Sequence, residues 1–167
     1  MRTMILTSDP NGVIGKDGKL PWPMLKCDSD RFEKITVGHT VVMGRNTFNS
    51  LLQQPLKGRC NIVLTKKITF SDLFKAVKFN LLNLRTSLKF VKDKEYVLEN
   101  YTYEPVYIIG GKEMFRLFED CCDGVWWTKI YKEYEGDVIF KPSQILWRVS
   151  SRHQYEGYEI VYLTKKY

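Results

Sequence analysis

Twice in this chain a β-prone run ends on glycine and passes straight into a helical pattern. His39-Thr-Val-Val-Met43 meets Gly44-Arg45-Asn46-Thr47, which leads into a short helix over Phe48 to Leu52. Val106-Tyr107-Ile108-Ile109 meets Gly110-Gly111, and Lys112 to Phe118 continues as a helix with apolar residues at 114, 115, 117 and 118. Continuous apolar runs belong to strands covered on both faces, and strands that alternate with helices build a parallel sheet. Such a junction is either a plain tight turn or an anion site. In the second reading the free N–H groups and helix dipole face the ligand, and Arg45 adds a charged fork.

The other elements agree with a layered α/β chain. Met4 to Thr7, Cys60 to Thr65 and Gly124 to Ile130 read as strands, and Lys26 to Val37 as a helix stopped by Gly38. Trp147 to His153 and Tyr158 to Lys165 alternate as an antiparallel pair joined around Glu156-Gly157. Between residues 68 and 104 the pattern is weak, with helices expected over Phe70 to Leu84 and Glu95 to Asn100 and a strand at Leu88 to Val91. The expectation is one domain over residues 1–167. Its fold class is α/β: three layers, α/β/α, with a mostly parallel central sheet and an antiparallel C-terminal edge hairpin.

Residues 9–24 form a long loop with three glycines and three prolines, interrupted by apolar patches at Val13-Ile14 and Leu20-Pro21-Trp22. A loop of that length in a compact domain is usually functional or disordered, and its apolar patches suit a lid. Just beyond it, Asp28 stands near the start of the helix with Phe32 and Ile35 on the same face. A carboxylate among apolar neighbours is costly to place unless it has a partner or a task. The spacing fits a simple helix cap equally well.

Composition excludes several classes. No run approaches the ~20 apolar residues that span a bilayer, and the N-terminal apolar run is too short for a signal peptide, so a cytoplasmic chain without membrane contact is expected. Cys27, Cys60, Cys121 and Cys122 lack metal-ligand spacing, and His39 and His153 are isolated, so no metal site is expected. The net charge of +7 sits in one stretch: residues 57–94 hold ten basic residues against Asp72 and Asp93, a local balance of +8. An anionic partner on that side could be a nucleic acid or a phosphorylated cofactor, or the charge could serve solubility alone.

Several motifs occur together in order. They are Val13-Ile14-Gly15, Leu20-Pro21-Trp22, Asp28-x-x-x-Phe32, Met43-Gly44-Arg45-x-Thr47, Arg59-x-Asn61, Ile109-Gly110-Gly111, Thr128 and Glu135-Gly136-Asp137. In order and spacing the chain resembles the dihydrofolate reductase family from residue 4 to about 163, most weakly between 68 and 104. The resemblance implies hydride transfer from NADPH to C6 of 7,8-dihydrofolate with protonation of N5, serving one-carbon metabolism and thymidylate synthesis. A stand-alone monomer is expected, without a thymidylate synthase segment, and a target of antifolates such as methotrexate or trimethoprim.

The resemblance also assigns roles. Asp28 would bind the pterin 2-amino group and N3 and promote protonation of N5, supported by Thr128 and, through a water, by Trp22. Ile5 and Ile109 would offer carbonyls to the pterin, with Thr7 beside it. Phe32 and Leu56 would pack on the substrate, and Arg59 would receive the α-carboxylate of the glutamate tail. Thr7, Ile14, Gly15 and Leu20 would line the nicotinamide. Gly44, Arg45, Asn46, Thr47, Leu64, Thr65 and Lys66 would lie along the cofactor, with Arg45 and Lys66 at its 2′-phosphate. Ile109, Gly110, Gly111, Lys112, Glu113, Met114 and Phe115 would complete the cofactor site, the glycines joined by a cis peptide. Thr7 and Phe115 depart from the family's usual Ala and Tyr, Pro23-Met24 and one extra residue precede Asp28, and Gln53-Gln54 lengthens a loop. Other readings are a riboflavin-pathway reductase, which lacks the Trp22, Asp28 and Phe32 set, and a non-catalytic assembly or nucleic-acid-binding module using the basic stretch.

Overall fold

The computed structural model describes residues 1–166. Ten strands and five helices follow in the order β1 (Arg2–Ser8), β2 (Val13–Gly15), α1 (Lys26–Thr36), β3 (Thr40–Gly44), α2 (Arg45–Ser50), β4 (Cys60–Leu64), α3 (Phe70–Leu82), β5 (Ser87–Val91), α4 (Lys94–Asn100), β6 (Val106–Ile108), α5 (Lys112–Phe118), β7 (Gly124–Ile130), β8 (Val138–Ile139), β9 (Trp147–Tyr155) and β10 (Tyr158–Lys165). Eight strands form one sheet in the order β5-β4-β3-β6-β1-β7-β10-β9, while β2 and β8 pair separately. The pairings run parallel from β5 across to β7, and only β10 opposes them. The C-terminal hairpin closes the sheet as expected, with its second strand on the inside against β7 and β9 at the edge.

Strand alternation sends successive side chains to opposite faces and thereby makes two cores. On one face Met4, Leu6, Val42, Ile62 and Ile108 pack with Val97 of α4 and Met114, Phe115 and Phe118 of α5. On the other, Ile5, Val41, Met43, Val63 and Tyr107 pack with Phe32 and Ile35 of α1, Phe48 of α2, and Ala76 and Phe79 of α3. The first core places α5 behind the glycine pair, and the second places α1 over the ends of β1 and β7.

The weakly patterned stretch contains a firmly anchored helix. Thr69 and Asp72 form a reciprocal capping box at the start of α3. Asp72 also takes a bidentate ion pair from Arg45, at 2.6 and 2.7 Å. That guanidinium, aided by Thr69, holds the Asp72 carboxyl well below the usual carboxylate range. A depressed folded value stabilises the fold above the unfolded value of about 4 and loses that contribution as pH falls below it. Asp72→Ala is therefore expected to cost roughly 2–3 kcal/mol at pH 7 in urea unfolding. The gap to the parent should narrow as pH drops through the ordinary carboxylate range; a gap independent of pH would refute the ion-pair account. Among the described residues, no helix is long and apolar enough to cross a membrane.

Candidate active site

The carboxyl ends of β1, β3, β4, β6 and β7 lie along one edge of the sheet, where open α/β sheets bind ligands. Thr7 of β1 and Thr128 of β7 are cross-strand neighbours. The Asp28 carboxylate bridges them: Thr7 Oγ1 donates to Oδ2 at 2.9 Å and Thr128 Oγ1 donates to Oδ1 at 2.5 Å. Asp28 does not cap α1, whose N-cap is Leu25 with no side-chain bond. Of the two readings its spacing allows, the cap is excluded. Asp30, two residues on, is exposed.

A third group reaches the carboxylate. Arg31 Nη2 donates to Asp28 Oδ1 at 2.8 Å and to Thr128 Oγ1 at 3.2 Å, and its guanidinium lies 4.9 Å from the Trp126 ring centroid. Arg31 Nε and Nη1 are buried and find no partner. Nothing beyond the i,i+3 spacing from Asp28 marked this residue in the sequence, where such a pair reads as ordinary surface charge.

Trp22 is buried with Ile130, Tyr158 and Ile160, and meets Tyr134 edge-on at 5.8 Å. A cavity of ≈ 230 Å³ lies between Leu20, Trp22, Pro23, Met24, Leu25, Asp28 and Ser29. Phe32 joins Leu56, Ile5 and Ile109 in one apolar cluster on the same face of the sheet. Behind it Arg59 is almost fully buried, with Nε donating to Thr36 Oγ1 at 3.0 Å and Nη1 to the Lys57 carbonyl at 2.7 Å. Burial lowers its pKa, partly offset by Glu33, and among the described residues it forms no ion pair. Asn61 explains the Arg59-x-Asn61 spacing, for its amide exchanges two bonds of 2.9 Å with the Leu56 backbone and fixes the intervening loop.

The second cluster surrounds the Gly110–Gly111 peptide, which is cis. Gly44 N donates to the Gly110 carbonyl at 2.8 Å, tying the two strand–glycine–helix junctions together. A Cβ added at Gly111 would lie 3.3 Å from Thr47 Oγ1, and one at Gly110 would lie 3.4 Å from the Phe115 ring. Gly110 also has φ +115°, a region that only glycine enters freely. α2 begins at Arg45, so Asn46 and Thr47 sit in its first turn and not at its cap; neither α2 nor α5 has a side-chain cap. Met114 and Phe115 are buried beneath the glycines, while Asn46 and Glu113 face solvent and Lys112 is half-buried. Leu64 ends β4, and Thr65 and Lys66 follow it, with Lys66 exposed. Arg45, expected at the cofactor's phosphates, is engaged by Asp72 and the Lys67 carbonyl.

The loop over residues 9–24 is pinned through its first half. Asp9 accepts from Val13 N at 2.7 Å and from Tyr134 N at 3.0 Å, and β2 pairs with β8. Lys16 pairs with Glu135 at 3.0 Å. Gly136 packs so tightly that any Cβ would collide with Val13 and the Gly15 carbonyl. This accounts for the Glu-Gly-Asp triplet at residues 135–137. Ile14 is half-buried against the first core, and Leu20 is exposed.

Comparison with known proteins gives a consistent result. A family model described as dihydrofolate reductase matches residues 1–165. Dihydrofolate reductase of Ureaplasma parvum serovar 3 is 31% identical over 166 residues, covering 99% of this chain and 98% of that protein. Dihydrofolate reductase of Bacillus subtilis is 35% identical over 155 residues, covering 92% and 84% respectively. A solved structure of dihydrofolate reductase from Enterococcus faecalis complexed with NADP(H) and RAB-propyl superimposes with a TM-score of 0.82 at 26% identity, covering 100% of this chain and 97% of that one.

Proposed function

The chain belongs to the dihydrofolate reductase family, and on that premise we propose roles for the groups around Asp28 and around the Gly110–Gly111 pair. The reaction is NADPH-dependent reduction of 7,8-dihydrofolate to 5,6,7,8-tetrahydrofolate, a step of one-carbon metabolism. The observation that carries the assignment of roles is the half-buried Asp28 carboxylate, held across Thr7 and Thr128 beside a cavity.

Asp28 receives the pterin 2-amino group and N3, and its charge raises the basicity of N5 in a site of low dielectric. Thr7 and Thr128 fix the carboxylate's plane. Trp22 and Leu20 wall the cavity and, with the pinned loop, exclude water. Ile5 and Ile109 offer backbone carbonyls to the pterin, and Phe32 and Leu56 pack on the substrate's aromatic linker.

The Gly110–Gly111 floor suits a pyrophosphate, since a side chain at Gly111 would press on Thr47 and the φ of +115° at Gly110 favours a residue without one. Bound over that floor, NADPH supplies the hydride that C6 accepts. Gly44, Arg45, Asn46, Thr47, Leu64, Thr65 and Lys66 line its phosphate and adenosine side. Lys112, Glu113, Met114 and Phe115 support the floor, and Ile14 and Gly15 face the nicotinamide. Lys66, exposed and outside any ion pair among the described residues, is the freer cation for a 2′-phosphate; Arg45 must share its charge with Asp72. We take the acting form to be a single-domain monomer in the cytoplasm, in keeping with one family unit matched over residues 1–165.

Loss of the NADPH absorbance band that requires dihydrofolate and stops with methotrexate tests the whole reading; purified protein that oxidises no NADPH would end it. Arg59 carries a separate expectation. Arg59→Leu should raise KM for dihydrofolate by about 10²-fold with little change in kcat, since it removes binding equal in ground and transition states. A matching fall in kcat would place Arg59 elsewhere in the mechanism.

A further inference from the structure

Helix α3 turns an apolar stripe outward. Phe70, Leu73, Phe74, Val77 and Leu81 follow the i, i+3, i+4, i+7, i+11 spacing of one helical face, and they are 85, 53, 63, 59 and 79% exposed. The opposite face is already used: Ala76 and Phe79 pack into the core, Asp72 is locked to Arg45, and the Asn80 amide bonds both backbone groups of Leu88 in β5 at 2.8 and 3.1 Å. The orientation is thus fixed from behind. A soluble domain seldom leaves so many large apolar side chains in one contiguous patch without a surface to cover them.

The charge around the stripe selects the occupant. Lys66, Lys67, Lys78 and Arg85 are exposed along this stretch, while Lys75 reaches to Gln54 and the Phe48 ring, and none of the five joins an ion pair among the described residues. Between residues 66 and 92 the one acidic residue is Asp72, whose charge is spent on Arg45. A second copy would set this basic stretch against itself, with no acidic group to offset the repulsion. A groove on another protein would have to receive a helix whose inner half is embedded in its own domain. A flat anionic surface needs only the outward stripe, with Phe and Leu entering the headgroup boundary and lysines meeting the headgroups.

We propose that α3 is an interfacial helix that seats this protein reversibly on anionic lipid membranes. Such contact is peripheral and is independent of the absence of a spanning helix. The test is co-sedimentation of the full chain with phosphatidylcholine vesicles, with and without phosphatidylglycerol. Binding should require phosphatidylglycerol and weaken with added salt. Phe74→Glu with Leu81→Glu should lower it by about tenfold or more, and Lys78→Glu with Arg85→Glu should lower it less and flatten its salt dependence. Both variants lie outside the catalytic groups and should keep parental NADPH turnover, which establishes that they are folded. Equal binding to neutral vesicles, or no vesicle binding at all, would overturn the proposal. So would a dimer in sedimentation equilibrium that dissociates in Phe74→Glu, because the stripe would then belong to a second copy.

Discussion

Asp28→Asn is expected to lower kcat near pH 7 by about 10²- to 10⁴-fold, the usual range for removing a group that promotes proton transfer. The substitution preserves size but replaces an acceptor-only carboxylate with an amide that has one acceptor oxygen. Thr7, Thr128 and Arg31 all point donors at this position, so the amide oxygen will turn toward some of them and its NH₂ toward the rest. Neither arrangement leaves an anion beside N5. NADPH affinity, measured by fluorescence titration, should stay near parental, because the glycine floor is built from β3, β6, α2 and α5. Unchanged turnover would remove Asp28 from the chemistry, and a parallel loss of NADPH binding would mean the variant is misfolded.

Gly111→Val should abolish NADPH binding at working concentrations, a loss of about 10²-fold or more in affinity. The backbone at 111 is extended, so the cost lies in space and not in φ. The first added carbon meets Thr47 Oγ1 at 3.3 Å, and a branched side chain must project either into Thr47 or over the floor where phosphate oxygens would lie. Circular dichroism and thermal melting should show a folded chain. Dihydrofolate binding, governed by the α1 side of the site, should survive. Tight NADPH binding by Gly111→Val would mean that the phosphates lie elsewhere.

Much of this was legible in the sequence, and the exceptions share a cause. The strand–glycine–helix junctions at residues 44 and 110 announce themselves because each depends on neighbouring residues. Asp28 stands out through Trp22 and Phe32, four to six residues away. Arg31 did not, because its significance depends on Thr128, which lies 97 residues along the chain. The ion pair of Arg45 is equally hidden, because its partner Asp72 lies 27 residues on. The stretch over 68–104 resisted reading for another reason. Apolar spacing normally marks the inward face of a helix, and in α3 the outward face carries it, so the pattern indicates a helix without indicating which side packs.

Arg31 also bears on which ligands this pocket rejects. A diaminopyrimidine drug such as trimethoprim binds best to a carboxylate as a protonated cation, whereas dihydrofolate approaches its own partner neutral. In this chain a cation approaching Asp28 would meet a guanidinium already bonded to its Oδ1 at 2.8 Å. Such an encounter is expected to penalise an inhibitor that arrives charged more than a substrate that arrives neutral, with no change in pocket shape. Arg31→Leu should therefore tighten trimethoprim by about tenfold or more while moving KM for dihydrofolate far less. If both ligands shifted together, Arg31 would be a packing residue and not a group that discriminates ligands by charge.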